Sequence, residues 1–207
     1  MYVPPFNRMP DGELVSLVRA VGSAELITVG SDGFPQATRL PIIWSGDGLI
    51  FHMAIANPHW RAIADRAPAL AVVTGSEAYI SPSWYAAKAE HGRVVPTWNY
   101  DALHFTGHAT VRRDPEWLRA AVTELTDLHE ARRDEPWAVT DAPETYIDQM
   151  LKAIVGVEFE ITAIDAKAKR SQNRSDADRV GTVTGLRAEP GDGAVAMADR
   201  MESDLTR

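Results

Sequence analysis

Apolar positions Leu14, Leu17, Val18 and Val21 recur at one-face helical spacing behind Asp11, whose carboxylate can cap free N–H groups, and Gly22 follows. The pattern predicts an amphipathic first helix. Three β segments come next, Leu26 to Val29, Gln36 to Trp44 and Leu49 to Ala54, separated by Ser31-Asp32-Gly33 and Ser45-Gly46-Asp47-Gly48. Those separators are turn chemistry, so the three read as an antiparallel meander. Asn57-Pro58 sets a capping side chain before a proline at the first helical position and opens a short helix to about Ala64. Ala69 to Thr74 reads as a buried strand, and Leu103 to Val111 alternates as another.

Asp114-Pro115 repeats the cap-plus-proline signal ahead of Trp117, Leu118, Ala121, Val122, Leu125 and Leu128, a helical stripe. A polar connection from Ala131 to Asp141 leads to a helix from Pro143 to about Ile154, with Tyr146, Met150 and Ile154 on one side and Gly156 ending it. Val157, Phe159 and Ile161 then alternate as a strand. Lys167 to Arg174 is too polar for a core element, while Asp176 to Leu186 and Gly193 to Leu205 read as terminal helices. Roughly six strands without a βαβ rhythm predict a mainly β protein with flanking helices, an antiparallel barrel. The expected organisation is a barrel domain over residues 1–166 and a polar, helical segment over 167–207 that packs on the barrel or on a dimer partner.

Composition narrows the function. The chain has 207 residues, 45% of them hydrophobic, enough for one core. No run approaches the roughly 18 apolar residues of a membrane span, and the first ten residues lack a signal-peptide pattern, so a cytoplasmic protein is expected. Absence of Cys excludes disulfides, thiolate catalysis and Cys-ligated metals. A formal charge of −8 opposes DNA binding, which needs clustered cations; the arginines are scattered among acids. The two long helices are joined by too many residues for a helix-turn-helix.

Aromatic residues concentrate between Tyr79 and Tyr100. Trp84, Trp98, Tyr79, Tyr85, Tyr100, Pro82 and Pro96 share 22 positions with Ser81, Lys88, Thr97 and Asn99. Such a stretch suits either a site that stacks a flat ligand and bonds its edges or an aromatic hairpin on the core or a dimer contact. Neither GxGxxG nor a Walker A motif is present. A weaker anion site lies at Phe51 to Arg61, where a strand end meets a capped helix, with Arg39, His52, His59 and Arg61 as donors; an ordinary helix cap is the alternative. His104 and His108 sit on a strand about 13 Å apart at ~3.3 Å per residue, too far to share a metal ion. Lys169-Arg170-Ser171-Gln172-Asn173-Arg174 either grips a phosphate or flavin edge or is a solvated linker.

These pieces, in order, resemble the FMN-binding negative transcriptional regulators, the PaiB-like family. The resemblance rests on Met1-Tyr2-Val3-Pro4 with Phe6, Ala56-Asn57-Pro58-His59-Trp60, the two aromatic motifs with Lys88, and Leu103-His104-Phe105-Thr106-Gly107. It continues through Ser171-Gln172-Asn173-Arg174 with Asp178, Gly181 and Gly185-Leu186. It implies an FMN-binding split β-barrel, homodimeric, with flavin at the subunit interface, and a fold related to pyridoxamine-phosphate oxidases. It implies cofactor contacts from Arg39, Leu40, Pro41, Ile42, His52, Ala54, Asn57, His59, Trp60, Lys88, Trp98, Asn99, Gln172 and Arg174. The family reads Ala-Arg-Ala-Asn-Pro where this chain has Ala54-Ile55-Ala56-Asn57-Pro58, so a phosphate-contacting arginine is replaced by Ile55. Loss of a charge-assisted contact of about 1.5–3 kcal/mol predicts weak flavin binding, no flavin, or another flat ligand such as haem. The functions to weigh are a negative transcriptional regulator, a flavin-dependent oxidoreductase and a binding module without turnover.

Overall fold

The computed structural model describes residues 1–206. Its elements are α1 (Asp11–Val21), β1 (Ser23–Val29), β2 (Pro35–Pro41), β3 (Ile43–Ser45), β4 (Gly48–Ala54), α2 (His59–Ala62) and β5 (Ala67–Ile80). There follow α3 (Ala87–His91), β6 (Thr97–Arg112), α4 (Pro115–Glu130), α5 (Glu144–Leu151), β7 (Ile154–Lys169), α6 (Asp176–Ala188) and α7 (Asp192–Leu205). Asp11 is itself the first residue of α1, whereas the later capping signals operate as read. The Asp114 carboxylate accepts from the Trp117 N–H at 2.8 Å, and Ser175 caps α6 in the same way through the Asp178 N–H.

The chain packs as two compact units, one made of residues 1–17, 74–103 and 165 onward, the other of residues 18–73 and 104–164. The strands form a seven-stranded sheet in the order β2-β1-β5-β6-β7-β4-β3. The pairs β1–β2, β1–β5, β3–β4 and β4–β7 are antiparallel. Gln36 to Trp44 is therefore two strands rather than one: β2 pairs with β1, the chain turns at Ile42, and β3 pairs with β4. That single residue joins the two edges of the sheet. Flat, seven strands would hold those edges roughly 29 Å apart at about 4.8 Å per strand, whereas the two steps from Pro41 to Ile43 reach only about 7 Å. The sheet must roll until its edges meet at this corner, yet no ladder joins β2 to β3 and it stays open. Seven strands and an open order correct the expectation of a six-stranded barrel.

Inward positions alternate along β4, where Leu49, Phe51 and Met53 are buried, and along β7, where Val155, Val157 and Phe159 are. Phe51 meets Phe159 edge-on at 6.3 Å. Leu118, Val139, Ile147 and Leu151 form a satellite core beneath α4 and α5. Helix α5 stops at Leu151, short of Ile154, and Gly156 lies inside β7 instead of ending a helix. The reason is space: a Cβ at Gly156 would lie 2.0 Å from the Trp117 ring.

In the first unit, Ala78, Ile80, Tyr85, Val183, Leu186, Met197, Ala198 and Met201 make the core between strand and helices. Backbone and ring of Trp84 press on Gly181 and Gly185 of α6, so closely that a Cβ at either would sit 2.1 or 2.3 Å from them. Lys167 to Arg174 is not a solvated linker. Strand β7 runs on to Lys169, and Arg170 is only 2% exposed. Its guanidinium donates to both Asp101 oxygens at 2.7 Å, to Glu13 at 2.9 Å and to Asp204 at 3.2 Å. Burial pushes the Asp101 carboxyl up, and the Arg170 fork opposes that shift. No helix among the described residues is long and apolar enough to cross a membrane.

Candidate functional site

Strand β6 carries Thr97 and Asn99 on one face, and β7 carries Lys167 and Lys169 in the same alternation before the chain turns at Ser171. With Tyr2, Pro4, Phe6 and Asn7 from the N-terminal segment, Val95 and Pro96, and Asn173 and Arg174 beyond the turn, these residues line a cavity of about 370 Å³ in the first unit. Its charged lining is Lys167, Lys169 and Arg174, with no carboxylate, in a chain of formal charge −8. Tyr2 and Phe6 leave ring surface exposed beside those cations.

The turn is locked from several sides. Ser171 is buried with φ +61, a left-handed conformation that costs a non-glycine residue of order 1 kcal/mol and persists only where the surroundings enforce it. Here Asn99, fully buried, donates to the Ser171 hydroxyl at 3.0 Å and accepts from it at 3.2 Å. Gln172 accepts from the Arg170 N–H at 2.7 Å and donates to the Ala168 carbonyl. Arg174 lies over the Tyr85 ring at 4.7 Å. The Lys169 ammonium donates to the Thr97 hydroxyl and the Trp98 carbonyl. Burial, and secondarily the charge of Lys167, lower its pKa. Lys167 faces the Tyr100 ring at 5.2 Å.

Of the predicted residues in this unit, Asn99 and Arg174 line the cavity and Gln172 holds its turn. Lys88 donates instead to Ser83 at 3.0 Å. Trp98 points to the other face of β6, 47% exposed, where it tilts against Tyr79 at 6.4 Å and donates to Glu77. Lys167 was not singled out in the sequence. Only the two-residue alternation with Lys169, read through to a strand, would have found it.

The second unit gathers another predicted group. The His59 imidazole is buried between two hydroxyls, Thr28 at 2.9 Å from Nε2 and Thr38 at 2.8 Å from Nδ1, while Asn57 accepts from the His59 N–H at 3.0 Å. Trp60 donates to the Ile55 carbonyl at 2.9 Å and carries Arg61 and Arg113 over its ring at 4.7 and 5.5 Å. Arg39 bonds Glu25 and Ser23 at the surface, Leu40 and Ile42 are buried, Pro41 ends β2, His52 sits opposite Gly156, and Ala54 ends β4. Ile55 lines a cavity of about 420 Å³ together with Arg113, Lys152 and Asp148, so two cations and one carboxylate stand near the position that lacks arginine.

Burial lowers the pKa of both His59 and His52. The unfolded chain therefore binds these protons more readily, and stability present above about pH 6.5 is lost as pH falls through that value toward the lowered folded ones. Urea midpoints measured from pH 7.5 to 5.5 will decline. The slope will flatten in His59→Gln if His59 contributes as described.

A family described as "Putative FMN-binding domain" matches residues 1–163. The chain is 30% identical over 211 residues to the Bacillus subtilis (strain 168) protein named Protease synthase and sporulation protein PAI 2, covering 100% of this chain and 99% of that one. A conserved hypothetical protein of Mycobacterium tuberculosis superposes with a TM-score of 0.62 at 14% identity, over 84% of this chain and 94% of the other. The FAD and heme binding protein of Mycobacterium smegmatis superposes with a TM-score of 0.60 at 21% identity, over 83% and 77%. The two superpositions establish likeness of fold. The domain match and the full-length relative go further: this chain belongs to the FMN-binding domain family, among its PaiB-like members.

Proposed function

We propose that the protein is a homodimeric flavoprotein of split-barrel type that binds FMN. The observation that supports this best is the cavity of the first unit, where three cations and no carboxylate stand beside exposed rings in an acidic chain. Such a local field favours an anion or the polar edge of a flavin, and the rings favour a flat ligand. Asn99, Gln172 and Arg174 are its proposed contacts there, with Lys88 and Trp98 at the periphery. In the second unit the proposed contacts are Arg39, Leu40, Pro41, Ile42, His52, Ala54, Asn57, His59 and Trp60. A bound flavin would supply one- and two-electron chemistry; the residues named here bind and orient it. The edges of the rolled sheet, joined at Ile42, are compatible with a split barrel.

Titration of purified protein with FMN is expected to quench flavin fluorescence with saturation below ~100 μM, about 5.5 kcal/mol of binding. No quenching at that concentration would overturn the assignment. Ile55→Arg is expected to tighten binding by roughly tenfold, the contribution of one charge-assisted contact. Sedimentation at micromolar concentration tests the dimer.

A haem-like flat ligand is the second reading, favoured by Ile55 and by the apolar wall it adds to its cavity. A visible spectrum distinguishes the two at once, since haem gives a Soret band. The negative-regulator function implied by the family resemblance is tested separately, by mobility shift of DNA with and without FMN.

A further inference from the structure

We propose that Lys169 is a reactive amine, placed to condense with flat anionic ligands that carry an aldehyde or ketone and to hold them as an imine. The proposal does not rest on flavin binding.

The chain has four lysines, Lys88, Lys152, Lys167 and Lys169, and their settings differ. Lys88 donates to the Ser83 hydroxyl at the surface. Lys152 is exposed. Lys167 stands over the Tyr100 ring. Among the described residues, neither a ring nor a carboxylate stands against the Lys169 ammonium. It donates to two neutral oxygens, the Thr97 hydroxyl and the Trp98 carbonyl.

A tetrahedral nitrogen bonded to Cε and committed through two N–H groups has one position left, and in the neutral amine that position is the lone pair. Lys169 and its partner Thr97 both line the cavity, which sets the amine at the cavity wall. Burial and the neighbouring charge of Lys167 both favour the neutral form. Lys167 and Arg174 meanwhile offer two cations for an anionic group on the same ligand, and Tyr2 and Phe6 flank its ring. A space of about 370 Å³ accommodates a substituted aromatic ring.

The reaction balances without a redox partner. The Nζ lone pair adds to the carbonyl carbon while the C=O π pair moves to oxygen, and the two amine protons leave with that oxygen as water. A carbon–nitrogen double bond remains, reversible by hydrolysis.

The test is reductive trapping on the full-length protein with 4-formylbenzenesulfonate and cyanoborohydride, followed by peptide mass mapping. The neutral benzaldehyde serves as comparison. Lys169 is expected to be labelled faster than Lys88 or Lys152 and to prefer the sulfonate. Even labelling of the four lysines, or equal rates for the two aldehydes at Lys169, would overturn the proposal. Lys169→Arg, checked for native circular dichroism, is expected to lose the fast phase. FMN present in excess is expected to slow the labelling. FMN that binds without slowing it removes flavin from this cavity and leaves the lysine chemistry supported.

Discussion

Replacing Arg170 with methionine will lower the unfolding free energy by about 3–5 kcal/mol, the range for removing one partner of a buried ion pair. Glu13, Asp101 and Asp204 all converge on this guanidinium. Among the described cations near them, Arg200 lies 3.9 Å from Asp101 and cannot replace a bidentate fork. Arg170→Lys will recover little, because an ammonium cannot meet both Asp101 oxygens and two further carboxylates in one plane. The diagnostic result is a pH dependence. The deficit of the methionine variant will shrink on acidification, as the abandoned carboxylates become protonated, and a deficit independent of pH would mean that lost packing, not charge, is responsible.

The second large effect will come from one methyl group. In Gly107→Ala the new Cβ would stand 1.9 Å from the Glu160 carbonyl oxygen and 2.6 Å from the Phe159 ring, where β6 and β7 are neighbours in the sheet. Backbone cannot yield as a flexible side-chain tip does, so the strands must part. A cost of about 3 kcal/mol or more is expected, seen as a melting temperature lower by roughly 6–12 °C. Gly12→Ala is the control. It lies in α1 with open space around it and is expected to stabilise by about 0.5–1 kcal/mol.

The elements that were legible in the sequence are those whose signals are local. Asp114-Pro115, Asn57-Pro58 and the stripe of α4 act within a turn of the residues they organise, and the structure puts caps and helices there. The terminal helix α7 also forms as read, buried through Met197, Ala198 and Met201. What stayed hidden depends on partners far along the chain. Lys167 to Arg174 reads as solvent-facing because it is charged, and its burial becomes intelligible only when Glu13, Asp101 and Asp204 arrive to neutralise Arg170. Gly156 reads as a helix stop because nothing nearby shows the Trp117 ring that excludes a side chain. The candidate site was half visible for the same reason. Asn99 and Arg174 belong to recognisable motifs, whereas Lys167 matters only once β7 is known to run on to Lys169.

The place of β4 in the sheet also sets a timetable for making the protein. One side of β4 is covered at once by β3, its hairpin neighbour, but the other pairs only with β7, Ala54 lying against Ile154. At a synthesis rate of roughly 5–20 residues per second, the ribosome needs roughly 5–20 s to supply that partner. Throughout this interval Leu49, Phe51 and Met53 belong to a nascent chain with an unprotected strand edge. Ribosome-associated chaperones are expected to crosslink to this region while the chain is shorter than about 190 residues, allowing roughly 30 for the exit tunnel, and to release it afterwards.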